Sequence, residues 1–364
     1  MTEKSHISEP SKEYQLPGGE YEYIPKPRLK IFSGTAHPAL AEEIAESLGL
    51  TLRPRKIVNF SDGEIYVQIQ ESVRGMNVFY VQPVCPPHVN AALMELCFAL
   101  DALKRASPRQ LVAVIPYLGY ARQDRKAQGR EPISAELVAR QIENAGATRT
   151  VLLDIHSPQT QGFFKNPCDA LFGTPVIRTW IEQKRKEYGD IVIVAPDTGG
   201  VTRARVYAKA LDRLAMDRWE QLAKEERKGA KKPKSVPIAI ADKRRPGHNQ
   251  VEVEKIIGHV NGRTAIIVDD MIDTAGTISG VARALKKSGA KNVLAVATHA
   301  VLSGKAIENL LKGSFKEIAV TNSIPISEQT RRELKNLTIL PVEGLLADAI
   351  LRIHQDISVS PLFE

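Results

Sequence analysis

The sequence predicts an α/β protein of two domains, each a mainly parallel sheet flanked by helices. Three observations carry this. From Arg28 onward, short β-branched runs alternate with amphipathic runs. Several of the predicted strands are apolar nearly throughout, as strands covered on both faces are. The 364 residues exceed what one ordinary core organises and suit two domains of moderate size. The predicted division is a tail over 1–27, an N-terminal domain over 28–172, a C-terminal domain over 173–345, and a last helix and tail over 346–364 that pack on the N-terminal domain.

The elements follow in order. LKIFS reads as a strand and Pro38 to Leu48 as a helix. RKIVNF and EIYVQIQ read as strands, the second with two-residue alternation. NVFYVQ is a strand. Asn90 to Arg105 has apolar residues at helical spacing and ends in two cations, which suit a helix C-terminus. LVAVIPY is a strand, SAELVARQIENAG a helix closed by Gly146, and TRTVLLDI a strand. The second half repeats the rhythm: helix VIRTWIEQKRKEYG, strand DIVIVAP, helix VTRARVYAKALDRL, strands VPIAIADK and RTAIIVDD, helix TISGVARALKKSGA, strand KNVLAVATHA, helix KAIENLLKG, strand EIAVTN, a short helix over Glu328 to Leu334, strand LTILPV and helix LLADAILRIHQ. The segment over 215–235 breaks the pattern. It is highly charged and reads as a helical extension followed by a solvated surface loop.

Composition bounds the function. Hydrophobic residues make up 43%, enough to bury a core. Cys85, Cys97 and Cys168 lack metal-ligand spacing and read as ordinary reduced thiols. No apolar run is long enough to span a bilayer, and the polar N-terminus resembles neither a secretion signal nor a transit peptide, so a cytoplasmic location without membrane partners is expected. The net charge of +8 suits nucleic acid, anionic surfaces or phosphorylated small molecules. Aromatic residues are only 5%, a poor supply of stacking platforms, which favours small phosphates over nucleic acid.

In parallel sheets, ligands bind outside the carboxyl ends of the strands. The strongest motif there is AIIVDDMIDTAGT, Ala265 to Thr277. An apolar strand ends in Asp269 and Asp270, and the loop Asp273, Thr274, Ala275, Gly276, Thr277 opens the next helix. A helix start offers free N–H groups and a positive dipole end to a phosphate. Thr274 and Thr277 add hydroxyls, and Gly276 lets the backbone approach the anion. The paired carboxylates suit sugar hydroxyls, so the string describes a site for a phosphorylated ribose. A calcium-like acidic loop or a helix cap with incidental acids is the alternative. The methyl group of Ala275 is tolerable if that residue keeps a negative φ.

Other strand ends add to it. FSDGE, Phe60 to Glu64, is by itself a generic turn. YARQDRK, Tyr120 to Lys126, concentrates cations that suit a polyphosphate. Asp154 and His156 lie at another strand end, where a Mg²⁺ and nucleotide site is expected, although direct His ligation of Mg²⁺ is unusual. Asp197, Thr198, Gly199 and Gly200 form a second glycine-softened loop. Lys243, Arg244 and Arg245 follow a strand, and Pro246, Gly247 and Asn249 make a mobile loop there.

The first string resembles the phosphoribosyl-diphosphate (PRPP) loop shared by type I phosphoribosyltransferases and ribose-phosphate pyrophosphokinases. All the motifs in this order, with ESVRG at Glu71 to Gly75, DALKRAS at Asp101 to Ser107 and ISVSPLF near the C-terminus, resemble the ribose-phosphate pyrophosphokinase (PRPP synthetase) family from about Lys30 to Phe363. The resemblance implies two similar phosphoribosyltransferase-like domains, a homohexamer, and transfer of the diphosphate of ATP to ribose 5-phosphate with Mg²⁺. It implies that Phe60 stacks on adenine, with Asp62 and Glu64 reaching the base from a neighbouring subunit. Arg122, Gln123 and His156 would meet the ATP phosphates and metal. Asp197 to Gly200 would hold pyrophosphate, with Asp197 near a second Mg²⁺. Lys243 and Arg245 would be the catalytic pair. Asp273 to Thr277 would hold the 5-phosphate, and Asp269 and Asp270 the ribose hydroxyls. Phosphate activation and ADP inhibition are implied too, with Ser72, Arg74 and Arg130 at matching positions. Two other readings compete: a phosphoribosyltransferase, which leaves FSDGE, YARQDRK and a second α/β half unexplained, and a non-catalytic regulatory relative, against which Lys243 and Arg245 stand.

Overall fold

The computed structural model describes residues 29–222, 231–247 and 250–363, without the side chains of 243–254. The expected tail over 1–27 and residues 223–230 of the charged segment lie outside the described residues. The chain builds two parallel-stranded sheets and a separate hairpin.

The first sheet has five parallel strands in the order β1 (Leu29–Ser33), β4 (Asn77–Val81), β5 (Gln110–Ile115), β6 (Arg149–Leu153) and β7 (Cys168–Leu171). Side chains alternate between its faces. Val78, Tyr80, Leu111 and Ala113 meet helices α2 (Val89–Arg105) and α3 (Ser134–Ala145). Phe79, Val81, Val112 and Val114 meet α1 (Pro38–Ser47) and the C-terminal helix Glu343–His354. That last helix puts Leu346, Ala347, Ile350 and Ile353 into the core of the first sheet.

The second sheet runs β10 (Gln250–Ile257), β9 (Ile238–Gly247), β8 (Ile191–Ala195), β11 (Thr264–Ile272), β12 (Asn292–Ala300), β13 (Glu317–Thr321) and β14 (Leu337–Leu340). All neighbours are parallel except β9 and β10. Helices α4 (Thr174–Tyr188) and α5 (Val201–Glu220) cover one face through Ile177, Trp180, Tyr207 and Leu211. Helices α6 (Gly276–Lys287) and α7 (Ala306–Lys312) cover the other through Ile278, Val281, Leu285 and Leu310. The short helix α8 (Glu328–Glu333) and α9 (Glu343–His354) complete the chain.

Three features depart from the expected rhythm. RKIVN and IYVQI pair only with each other, as β2 (Arg55–Asn59) and β3 (Ile65–Ile69), in a hairpin outside both sheets. Val67 and Ile69 reach the core on one face while Tyr66 faces out, which is why the alternation was so clear. The short strand β7 was not anticipated. Within the segment expected as a mobile loop, Lys243–Gly247 continue β9 as a strand, and β10 returns beside it from Gln250, with Lys243 opposite Val253; Asn249 lies outside the described residues. QVEVEKII alternates as a strand should, and its pairing satisfies the backbone groups that a loop leaves open. The side chains of Lys243 and Arg245 lie outside the described residues. Helix α5 takes the start of the charged segment as far as Glu220.

The carboxyl ends of the two sheets face each other. His37 Nε2 donates to the Asn322 carbonyl at 2.8 Å. His299 Nε2 donates to the carbonyls of Leu153 and Asp154 at 3.1 and 3.2 Å, and Thr298 Oγ1 donates to Asp154. Burial pushes the pKa of His37, His299 and His354 below the ordinary 6.5. The unfolded chain therefore takes up these protons first. Their contribution to stability is present above about pH 6.5 and is lost as the pH falls toward the lower folded values. The unfolding temperature is expected to drop between about pH 7.5 and about pH 5.5, and less steeply in His299→Gln. An identical pH profile for the variant would show that His299 does not titrate in this way.

Candidate active site

In the second sheet, β8 leads by α5 toward β9, whereas β11 leads by α6 toward β12 on the other side. The two helices lie on opposite faces. The carboxyl ends of β8 and β11 thus flank a topological switch point, the place where sheets of this kind bind their ligands. Asp197–Gly200 leave β8 there, and Asp269–Thr277 leave β11.

The start of α6 is open to an anion. Gly276 starts α6, and no side chain caps that helix. A Cβ on Gly276 would meet nothing closer than Asn309 at 3.9 Å. Asn309 Nδ2 ties the loop by donating to the Thr274 carbonyl at 2.8 Å. Ala275 corrects an expectation. Its φ is +59°, left-handed rather than negative. The methyl group is nevertheless 5% exposed and part of the α6 core. Left-handed strain of about 1–2 kcal/mol is thus offset by about 0.8 kcal/mol of methyl burial and about 0.4–1 kcal/mol of reduced freedom in the unfolded chain. Ala275→Gly is expected to change stability by less than about 1 kcal/mol, whereas β-branched Ala275→Val should lower the unfolding temperature by several degrees. An unchanged temperature for Ala275→Val would exclude the left-handed loop.

Asp273 is held by both halves of the chain. Arg122 NH1 donates to its Oδ2 at 2.5 Å, and Ser303 Oγ donates to its Oδ1. Burial opposes the charge, but Ser303 and Arg122 outweigh it and hold the carboxyl below its ordinary range.

The acidic pair is unequal. Asp270 has a side chain 4% exposed, and both oxygens are engaged: Oδ2 accepts from His156 Nδ1 at 2.6 Å, Oδ1 from Arg203 NH1 at 3.1 Å. Burial works against its charge, but His156 and Arg203 hold the carboxyl well below the usual range. The Asp269 side chain is 26% exposed. Its Oδ1 accepts from Arg203 NH1 at 3.2 Å and from the Asp270 backbone N–H at 3.0 Å. Burial and the adjacent Asp270 carboxylate push its pKa up. The His156 pKa is raised by its hydrogen bond to Asp270.

The remaining residues divide. Asp197 Oδ1 accepts from the Gly200 N–H at 3.0 Å, shaping the second loop. Thr198 and Gly199 are exposed. Gln123 is exposed, and its Oε1 accepts from Ser134 at 2.6 Å. Phe60, Asp62 and Glu64 form the exposed tip of the β2–β3 hairpin, closed by the Glu64 N–H on Asp62 Oδ1. Phe60 is 53% exposed, and its ring lies 5.9 Å from Tyr66. The structure brings together His156, Arg122, Asp269, Asp270 and Asp273. Among the described residues, no hydrogen bond joins the hairpin tip to that cluster. Ser72, Arg74 and Arg130 are exposed, Arg130 with φ +70°.

The sequence reading missed Arg203, Thr298, His299, Ser303 and Asn309. Arg203 left one signal. A cation in the first turn of a helix opposes the dipole and calls for a carboxylate partner. The others owe their position to the meeting of the two sheets or to packing beside the loop. Among the described residues, no three His, Cys, Asp or Glu side chains group as a protein-only metal cage. Such a cage is what Mg²⁺ does without, since it keeps waters and substrate phosphates and needs one or two carboxylates. Asp197, beside an open loop, fits that need. His156 has its Nδ1 engaged by Asp270, so only Nε2 remains for a ligand.

Comparison with known proteins gives a consistent result. Residues 29–146 match the family model of the N-terminal domain of ribose phosphate pyrophosphokinase, and residues 187–364 that of the phosphoribosyl synthetase-associated domain. Ribose-phosphate pyrophosphokinase 1 of Spinacia oleracea is 51% identical over 337 residues, 93% of each chain. The ribose-phosphate pyrophosphokinase of Gloeobacter violaceus is 50% identical over 336 residues, 92% of this chain and 93% of the relative. The crystal structure of phosphoribosylpyrophosphate synthetase from Mycobacterium smegmatis matches with a TM-score of 0.79 at 38% identity, covering 90% of this chain and 99% of that one. Both α/β halves are shared with that structure, which leaves no place for the single-domain phosphoribosyltransferase alternative. The chain belongs to the ribose-phosphate pyrophosphokinase (PRPP synthetase) family.

Proposed function

We propose that the protein is a ribose-phosphate diphosphokinase, transferring the β,γ-diphosphate of ATP to the anomeric hydroxyl of ribose 5-phosphate to give PRPP and AMP. The observation that carries this is the cluster of side chains at the β8–β11 switch point. An anion cradle and an acidic pair there face Arg122 and His156 from the other sheet. One subsite for a sugar phosphate and one for a polyphosphate thus meet.

The 5-phosphate sits on Asp273–Thr277 at the start of α6. Asp269, supported by Asp270, accepts from the ribose hydroxyls. Arg122, Gln123 and His156 lie along the ATP phosphates, and Asp197–Gly200 receive the pyrophosphoryl group. The anomeric oxygen attacks the β-phosphorus in line, and AMP leaves. The protein aligns two polyanions and neutralises charge spreading over the transferred group. Asp197 and His156 are the residues that would hold Mg²⁺, which would supply charge neutralisation to the polyphosphate. Lys243 and Arg245 are the catalytic cations. Phe60, Asp62 and Glu64 complete the adenine site of a neighbouring subunit in a homohexamer, which suits a hairpin tip standing apart from its own cluster. The division into domains at 28–172 and 173–345, with 346–364 packing on the first, matches one sheet to each substrate. Phosphate and ADP act as effectors near Ser72, Arg74 and Arg130.

Among the described residues, no helix is long and apolar enough to cross a membrane. A cytoplasmic location is part of the proposal, although a rice relative 50% identical is named chloroplastic. The deciding measurement is AMP release from ATP with Mg²⁺ and phosphate present. Strict dependence on ribose 5-phosphate is expected, and AMP release indifferent to that sugar would overturn the assignment.

A further inference from the structure

We propose that Arg203 is a positioning residue for the reaction: it holds the two carboxylates in the arrangement that receives ribose 5-phosphate, and ties them to the loop that receives pyrophosphate. This rests on the reading of the site given above. Two carboxylates on consecutive residues repel each other and, if unrestrained, turn apart. One guanidinium nitrogen of Arg203 lies 3.2 Å from Asp269 Oδ1 and 3.1 Å from Asp270 Oδ1, so a single cation spans the pair. Its side chain is 24% exposed, so solvent does not dissipate the attraction as it would on an open surface.

The clamp separates the roles of the two acids. Asp270 gives one oxygen to Arg203 and the other to His156, and its side chain is 4% exposed. Each oxygen already accepts a hydrogen bond, and the burial leaves a sugar little access to the lone pairs that remain. Asp269, 26% exposed, is the more open carboxylate of the two. Asp270 therefore acts through Asp269 and His156, and Asp269 carries the contact to the ribose hydroxyls.

Arg203 also stands in the first turn of α5, which begins directly after Asp197–Gly200. The same rigid turn that shapes the pyrophosphate loop thus fixes the ribose carboxylates. A cation at that end of a helix is opposed by the dipole. Asp269 and Asp270 supply the compensating charge.

The test compares Arg203→Leu and Arg203→Lys with the wild-type enzyme. Steady-state kinetics would be measured for each substrate, and ribose 5-phosphate binding by calorimetry. Arg203→Leu is expected to raise KM for ribose 5-phosphate by more than about tenfold and to leave KM for ATP within about twofold. Added guanidinium should restore part of the activity in Arg203→Leu and none in the wild type. Arg203→Lys should fall between, because it keeps the positive charge, but its ammonium is more strongly hydrated and sits on a shorter stem than the guanidinium nitrogen that touches both carboxylates. It also serves if the leucine variant does not fold. Equal losses for both substrates without guanidinium rescue, or ribose 5-phosphate affinity in Arg203→Lys equal to wild type, would overturn the proposal. Failure of the wild-type enzyme to release AMP would count against the assigned reaction instead, while the calorimetric comparison would still decide on Arg203.

Discussion

Lys243→Ala is expected to lower turnover about 10²- to 10³-fold, the usual loss when one preorganised charge on a transition state is removed. The backbone explains why this residue is suited to the task. β9 pairs with β8 as far as Ile240 beside Ala195, and then runs on to Gly247. At about 3.3 Å per residue, Lys243 stands about 10 Å beyond that last pair. It therefore projects past the carboxyl edge of the sheet, on the side where Asp197–Gly200 leave β8. Lys243 pairs with Val253 in the strand ladder, and an alanine keeps the backbone that forms it. The unfolding temperature should accordingly stay within about a degree, because substitutions away from a packed core rarely exceed about 0.5 kcal/mol. AMP formation and thermal unfolding measured on the same preparation check both parts. Near-normal turnover would remove Lys243 from the mechanism.

Asp270→Asn should lose both stability and activity. The carboxylate neutralises Arg203 and His156 in a nearly closed site, and breaking a buried pair costs about 3–5 kcal/mol. Arg203 and His156 are 24% and 43% exposed, so solvent recovers part of that and a loss of about 2–3 kcal/mol is expected. The pH dependence distinguishes this from a packing defect. The folded pKa of Asp270 is depressed, so its contribution is present above the unfolded value near 3.8 and is lost as pH falls toward the lower folded one. The folded pKa of His156 is raised, so its contribution is present below the unfolded value near 6.5 and is lost as pH rises through the folded value. The stability gap between wild type and variant should therefore be widest between about pH 4 and about pH 6.5 and narrow above it. Urea unfolding across that range would reveal it. A gap independent of pH would mean that the ion pair is not the cause.

Much of this site was legible because its chemistry is local. A strand that runs straight into Asp269 and Asp270, then a short loop and a helix start, is a contiguous string, and hydrogen-bonding groups at a helix start follow from backbone geometry alone. The Asp197–Gly200 loop was legible for the same reason. The φ of Ala275 was not, because nothing in Thr-Ala-Gly states how the loop must turn to pack the methyl group under α6. The strand at Lys243–Gly247 was not legible, because Pro and Gly signal a turn, while the strand that pairs with it arrives only at Gln250.

Apolar runs, their period and the punctuation between them determined the α/β class and nearly every element, since each depends on neighbours a few residues apart. Tertiary structure decided which face met which. It put β2 and β3 outside the sheet and set β8 beside β11. It also brought His156 to Asp270 across 114 residues, and Arg203 to Asp269 and Asp270 across 66 and 67. Contacts of that separation leave no period in the chain. They are selected by the closing of two buried sheets, end to end, where an unpaired charge is too costly to keep.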